Sequence, residues 1–311
     1  MLRRVTVLAG GVGAARFLDG LTQVVPPENI TVIGNTGDDV ELHGLTICPD
    51  LDTVIYMLAG LGDQERGWGL ANETFHALES LKRFTNETWF QLGDRDLATH
   101  IFRSSLLRCG FPLSEVTARI VRSLDVRSTI LPMSDNPVRT WLGTDAGRLD
   151  FQTYFVKHHA EPEVRTVDFI GADEAAPGPA VLQAIAEADA VILAPSNPVI
   201  SIGPILAVPG IRETLRETSA PVLAISPIIG GKAIKGPAAA MLESLGHGAS
   251  ALAVAKLYSD FVDVFILDET DRDLRPEVEQ LEMRTVVCPT IMKGLPEKSA
   301  LARAVLGAAN S

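Results

Sequence analysis

A buried strand that breaks into glycines and restarts as a helix constrains this chain more than any other stretch. Val5-Thr6-Val7-Leu8-Ala9 is a nearly continuous apolar run, Gly10-Gly11-Val12-Gly13 is a turn, and Ala14-Ala15-Arg16-Phe17-Leu18 opens a helix. Backbone N–H groups and the positive end of the helix then converge on one point, where a phosphate can sit. The unit predicts a nucleotide or diphosphate ligand and leaves its identity open.

The rest of the chain repeats the alternation. Apolar runs recur at Ile30–Gly34, Ala190–Ala194, Val222–Ser226, Val262–Leu267 and Thr285–Val287. Most are continuous rather than alternating, as strands covered on both faces are. Helical patterns lie between them at Ala14–Val24, Pro179–Ala188, Ile211–Thr218, Pro237–Leu245 and Glu297–Leu306. This spacing predicts an α/β fold, a Rossmann-like, doubly wound and mainly parallel sheet. Between Asn72 and about Leu124 helical periodicity dominates. Ser128–Pro132, Val138–Gly143 and Arg148–Val156 then read as short strands, with hairpin chemistry at Thr144-Asp145-Ala146-Gly147. The expected organisation is one domain over residues 1–311. Its core is about 1–60 and 165–311, with a helical and β insertion at about 65–160.

The chain's 27 Lys and Arg against 39 Asp and Glu exclude a basic nucleic-acid footprint. Anion binding must then come from backbone dipoles, a few local cations or a metal ion. Cys48, Cys109 and Cys288 are odd in number and form no CxxC pair, which points to a reducing compartment and no thiolate metal cage. The apolar run after Arg3-Arg4 ends in glycines too early for a signal segment or a membrane span. A cytosolic protein is expected.

Several strand ends open into polar turns, the place where open α/β sheets bind ligands. Gly11-Val12-Gly13-Ala14-Ala15-Arg16 meets the dinucleotide fingerprint only in part, because Arg16 fills its last position. The second strand ends in Asn35, where a dinucleotide enzyme carries a carboxylate for the ribose. Gly230-Gly231-Lys232-Ala233 lacks the hydroxyl of a Walker loop. Asn35-Thr36-Gly37-Asp38-Asp39 follows the second strand. Asp38 or Asp39 there is placed to hold Mg²⁺ against a diphosphate, unless the pair is a solvated turn. In Cys48-Pro49-Asp50-Leu51-Asp52-Thr53, one acid is expected to cap the following helix and the other to bind metal or accept a proton. In Leu92-Gly93-Asp94-Arg95-Asp96, Arg95 is a candidate phosphate clamp or a member of a surface salt network; His100 lies one helical turn after Asp96. Ser196-Asn197 and Ser226 through Lys232 supply further polar turns after buried strands.

The segments GGVGAARFL (10–18), NTGDD (35–39), CPDLDT (48–53), RGWGLANETF (66–75), LGDRDLATH (92–100), LPMSDNPV (131–138), APSNPVISIGPI (194–205) and SPIIGGK (226–232) carry a family resemblance. Across essentially its whole length the chain resembles the 2-phospho-L-lactate transferases of coenzyme F420 biosynthesis and their actinobacterial relatives, the phosphoenolpyruvate transferases. The resemblance implies transfer of a phospho-three-carbon acid, lactyl or enolpyruvyl, from a guanosine diphosphate-linked donor. The acceptor is the ribityl hydroxyl of 7,8-didemethyl-8-hydroxy-5-deazariboflavin (Fo), and GMP is released. It implies Fo at Asp50 and Thr53, with Asp50 binding or deprotonating the hydroxyl, and Mg²⁺ on Asp38 and Asp50. It places the guanosine diphosphate portion on Gly10, Gly11, Gly13, Asn35, Ser196 and Asn197. Ser226, Gly230 and Lys232 would line the same cleft, the insertion would contribute to the Fo site, and Trp68 and Trp89 would be available to stack on the deazaflavin. A homodimer is implied as well. Gly37-Asp38-Asp39 looks closer to the actinobacterial pattern, which favours the enolpyruvyl donor. The competing reading is a non-catalytic nucleotide-sugar-binding regulator of a related branch. That branch shares the glycine turn, whereas CPDLDT and LGDRDLATH go with the Fo-using branch.

Overall fold

Seven parallel strands carry the molecule, described here over residues 3–310 of a computed structural model. In chain order they are β1 (Val5–Ala9), β2 (Ile30–Gly34), β3 (Thr129–Pro132), β4 (Ala190–Leu193), β5 (Val222–Ile225), β6 (Val264–Leu267) and β7 (Arg284–Val287). In space they run β3-β2-β1-β4-β5-β6-β7. The register sets Val5 to Ala9 against Ile30 to Gly34 on one side, and Val5 to Leu8 against Ala190 to Leu193 on the other. The chain leaves β1 outward in one direction and later returns to its other side. A crevice therefore opens between the carboxyl ends of β1 and β4, the switch point of a doubly wound sheet.

Both faces of the sheet are buried, which is why its strands read as unbroken apolar runs. Val5, Val7 and Ala9 face one layer. That layer holds Phe17 and Leu18 of α1 (Gly11–Leu21), Val54 and Ile55 of α2 (Pro49–Leu58), and residues of the C-terminal helix Leu295–Ala309. Leu8 faces the opposite layer, with Ile205, Ile211 and Val254. Gly20 lets α1 and the C-terminal helix touch, since a Cβ there would meet the Lys298 carbonyl oxygen at 2.4 Å.

The sheet takes in one strand that the sequence reading left in the insertion. β3 pairs in parallel with β2, from Thr31↔Thr129 to Gly34↔Pro132, so the core reaches into 65–160. The insertion is thereby divided. Its helical part, with α3 (Asp96–Arg108) and α4 (Leu113–Ser123), precedes β3. An antiparallel sheet of Arg139–Thr144 flanked by Gly147–Asp150 and Val164–Ile170 follows it. The hairpin at Thr144–Gly147 forms as the turn residues indicate. The strand expected over Arg148–Val156 stops at Asp150, whose Oδ1 accepts the Thr153 N–H at 3.0 Å and starts a helical turn. A second hairpin, Val40–Leu42 with Leu45–Ile47, turns at His43 and Gly44, both at positive φ. No described helix is long and apolar enough to cross a membrane.

Candidate active site

Asp50 occupies the crevice at the switch point. Pro49 stands in the first turn of α2, where a missing N–H costs nothing. Asp50 and Asp52 lie in that first turn and neither caps the helix; the cap position is Cys48, without a side-chain bond. The expectation that one acid caps α2 is therefore corrected. Asp50 is partly exposed and leans over the glycine turn: a Cβ on Gly10 would meet its Oδ2 at 2.7 Å, and one on Gly11 would meet its Oδ1 at 3.5 Å. Asn35 Nδ2 donates to Asp50 Oδ2 at 2.9 Å and to the Ile200 carbonyl at 3.2 Å, while the Gly37 N–H donates to Asn35 Oδ1 at 2.8 Å. These bonds fix which way the amide faces, and it presents a donor to the carboxylate. Burial pushes the Asp50 carboxyl up to about 6, against the opposing bonds from Asn35 and the Gly11 N–H. Thr53 follows one turn later on the same helix, nearly buried.

The glycine turn is closed from the other side by the β4 end. A Cβ on Gly13 would sit 2.1 Å from the Pro195 carbonyl oxygen, and Ser196 Oγ accepts the Gly10 N–H at 3.3 Å. No side chain caps α1 and no acid lies in its first turn, so its N-terminal dipole faces the crevice.

Asp38 and Asp39 are buried behind Asp50. Burial first, and then the Asp50 charge, hold the Asp38 carboxyl well above the usual range. Burial raises Asp39 to about 7, against Arg139 and Arg103. Asp38 Oδ1, Asp39 Oδ1, Thr36 Oγ1 and Thr140 Oγ1 are buried without a hydrogen-bond partner. The small antiparallel sheet clamps this loop: Thr140 N–H donates to the Gly37 carbonyl at 2.7 Å and Gln152 Nε2 to the Asp38 carbonyl at 3.0 Å. Among the described residues no three His, Cys, Asp or Glu side chains are grouped to hold a metal. The donor set nonetheless fits a divalent cation. Two carboxylates that resist ionising together, one with an orphaned oxygen, have the oxygen chemistry that such a cation accepts.

Sequence reading did not find the support beneath α2. Arg103 of α3 is wholly buried and forks onto Asp52, with Nη1–Oδ2 at 3.0 Å and Nη2 on Oδ1. Its Nη1 also lies 3.2 Å from His100 Nδ1. His100 Nε2 is 3.2 Å from Asp96 Oδ1, which also accepts the Tyr56 hydroxyl at 2.6 Å. The signal available in sequence was spacing: Asp96, His100 and Arg103 share one face of α3.

Other candidates are placed in local structure. Asn197 Oδ1 caps the turn after β4 by accepting Val199 N–H at 2.9 Å. Ser226 Oγ donates to the Ile228 carbonyl at 2.8 Å. Gly230 and Gly231, both at positive φ, form the two-residue turn between Ile228–Ile229 and Lys232–Ala233, and Lys232 is exposed. Arg95 is exposed and donates to the Ala71 carbonyl at 2.8 Å, while Asp94 accepts N–H groups of His76 and Ala77. Trp68 carries the Arg66 guanidinium 5.0 Å from its ring, and Trp89 donates to Glu87. The crevice thus gathers Gly10, Gly11, Gly13, Asn35, Asp38, Asp50 and Ser196, with Thr53 buried one turn along α2 from Asp50. Among the described residues, no hydrogen bond or ion pair ties Arg95, Ser226, Gly230 or Lys232 to those residues.

The family description 2-phospho-L-lactate transferase CofD matches residues 5–291. The chain belongs to the CofD family. It is 45% identical over 309 residues to a phosphoenolpyruvate transferase of Streptomyces griseus, covering 97% of each chain. It is 40% identical over 302 residues to a 2-phospho-L-lactate transferase of Methanosarcina mazei, covering 97% of this chain and 99% of that one. Its fold is similar to that of a UPF0052 family member from Bacillus halodurans, with a TM-score of 0.68 and 18% identity over 98% of this chain and 99% of that one. This CofD-family chain is a transferase, and its switch-point crevice lies within the matched span.

Proposed function

We propose that this chain transfers enolpyruvyl phosphate from a guanosine diphosphate-linked donor to the terminal ribityl hydroxyl of Fo, releasing GMP, in coenzyme F420 biosynthesis. One observation carries the reading. A partly exposed carboxylate, raised to about 6, is aimed by a fixed amide beside an uncapped helix N-terminus at the switch point. Asp50 is ionised at neutral pH and still basic enough to take a proton from an alcohol as it attacks. The hydroxyl oxygen attacks the outer phosphorus, the bond to the bridging oxygen breaks, and the electron pair leaves on GMP. The nucleophile belongs to the substrate, so the protein positions and neutralises. The N–H groups of Val12 and Gly13 at the start of the helix receive the diphosphate, Asn35 orients Asp50, and Thr53 and the insertion face Fo. Mg²⁺ held on Asp38 and Asp50, with phosphate oxygens and water completing its shell, would spread the diphosphate's negative charge. Gly37-Asp38-Asp39 and the higher identity to the enolpyruvyl-named relative support the donor choice. Three free cysteines accord with a cytosolic setting, and the family resemblance supports a homodimer.

The test is mass spectrometry of purified protein with Fo, Mg²⁺ and each three-carbon donor. The enolpyruvyl donor is expected to give the phosphodiester and GMP fastest. Faster turnover of the lactyl donor overturns the donor choice. No consumption of Fo with any donor overturns the reaction.

A further inference from the structure

Among the described residues, two cations beside the glycine turn make no ion pair. Val12 and Arg16 share one face of α1, and the turn Asp63–Gly67 lies on that face. A Cβ on Gly67 would meet Val12 Cγ1 at 2.5 Å, and Arg16 Nη2 donates to the Gln64 carbonyl at a long 3.4 Å. Lys235 reaches the same turn from the segment after the Ile228–Ala233 hairpin. Its Nζ donates to the Arg66 carbonyl at 2.8 Å and to the Glu65 carbonyl at 3.4 Å. Three successive carbonyls thus hold two cations, and neither cation makes an ion pair among the described residues. Arg66 is different, because it is paired with Asp63 at 2.9 Å. Burial, and then repulsion from Arg16, lower the Lys235 ammonium below its ordinary value, against the weaker attraction of Asp63 in the same turn.

In a chain of net charge −12, two like charges pressed together on neutral acceptors mark a place kept for an anion. Helical side chains lean toward the helix N-terminus, so Arg16 covers the first turn of α1, where the N–H groups of Gly11 to Gly13 begin. Carbonyl contacts at 3.4 Å give way readily to charge-assisted bonds with phosphate oxygens. We propose that Arg16 and Lys235 form a phosphate clamp for the nucleotide side of the donor. It grips the nucleoside diphosphate on binding and neutralises the phosphate that leaves as nucleoside monophosphate. This rests on the proposed reaction, in which the bond from the attacked phosphorus to the bridging oxygen breaks and the electron pair goes to the leaving phosphate. Charge grows there during the step, and a cation beside it stabilises the transition state more than the ground state.

The test compares wild type with Lys235→Met, Lys235→Arg and Arg16→Met. GDP, GMP and Fo are titrated by calorimetry at two salt concentrations, and steady-state rates follow. Each methionine variant is expected to lose about tenfold in GDP affinity, the size of one charged hydrogen bond. Salt dependence of GDP binding should weaken, kcat should fall, and Fo affinity should stay at the wild-type value. Lys235→Arg should recover most of the GDP affinity. Unchanged GDP affinity in both methionine variants overturns the clamp, as does an equal loss of Fo affinity, which would mark a merely structural role. If the GDP losses appear while wild type turns over no Fo, the clamp stands and the proposed reaction fails.

Discussion

Asp50 and Asp52 show what two residues of the same type, two positions apart on one helix, become in different surroundings. Asp52 is buried against Arg103 in a forked ion pair, so its charge is neutralised and it anchors the first turn of α2. Asp50, two residues earlier, is hydrogen-bonded by a neutral amide and a backbone N–H, faces the Asp38 carboxyl, keeps a partly exposed face, and has its carboxyl raised by burial to about 6. The Cys48–Thr53 motif identified both acids, but their division of labour depends on Arg103, 51 residues away from Asp52. No local pattern reports such a pairing. Replacing Asp50 with Asn keeps the shape and the Asn35 contact region while removing the base. We expect kcat to fall by about 10²–10⁴ with Fo affinity reduced far less. The wild-type rate should rise as pH climbs through about 6, as Asp50 loses its proton. An Asp50→Asn enzyme with wild-type kcat would remove Asp50 from the chemistry.

At the scale of elements, the glycine turn works because its neighbours are backbone. Gly13 faces the Pro195 carbonyl, which belongs to the end of β4 and has no rotamer to change. Gly13→Ala is therefore expected to push β1 and β4 apart at the crevice. The cost should be about 1–3 kcal/mol in a urea titration, with a raised KM for the nucleotide donor. Wild-type stability and KM would mean that the turn tolerates a side chain. The buried strands were legible because both faces are covered, so apolar character runs without a break. β3 was misplaced because Thr129-Ile130-Leu131-Pro132 is short, lies at the sheet edge with Thr129 exposed, and ends in proline. Only its parallel pairing with β2 assigns it to the core. Gly230-Gly231-Lys232 was expected to line the cleft because the segment follows a buried strand and carries part of the family resemblance. The two glycines at positive φ form a two-residue hairpin turn there, a local geometry that the same composition permits.

On the scale of the whole molecule, the topology decides where chemistry collects. The order β3-β2-β1-β4-β5-β6-β7 brings the loops after β1, β2 and β4 to one end of one crevice. That convergence was legible, since strand–helix alternation implies it. The clamping of the Asp38 loop by Thr140 and Gln152 was not legible, because it depends on how the small antiparallel sheet docks. The convergence has a thermodynamic consequence. Asp50 and Asp39, raised to about 6 and about 7, and Asp38, raised by burial and then by the Asp50 charge, hold protons in the folded chain that the unfolded chain has released. Their contribution to stability is complete below the unfolded carboxylate value of about 4. It is lost as pH rises through 6 and 7, because there the native state binds more protons than the unfolded one. Carboxylates lowered by hydrogen bonds, such as Asp94 and Asp189, act in the opposite sense but complete their change below pH 5. With a chelator present, the crevice acids should therefore lower Tm between pH 5 and pH 8. A divalent cation held by Asp38 and Asp50 would replace the missing protons, so added Mg²⁺ should raise Tm at pH 8 and have little effect at pH 5. Calorimetric scans at both pH values, with and without Mg²⁺, check this, and Asp38→Asn should abolish the Mg²⁺-dependent rise. An equal rise at both pH values, or one that survives in Asp38→Asn, would place the cation elsewhere.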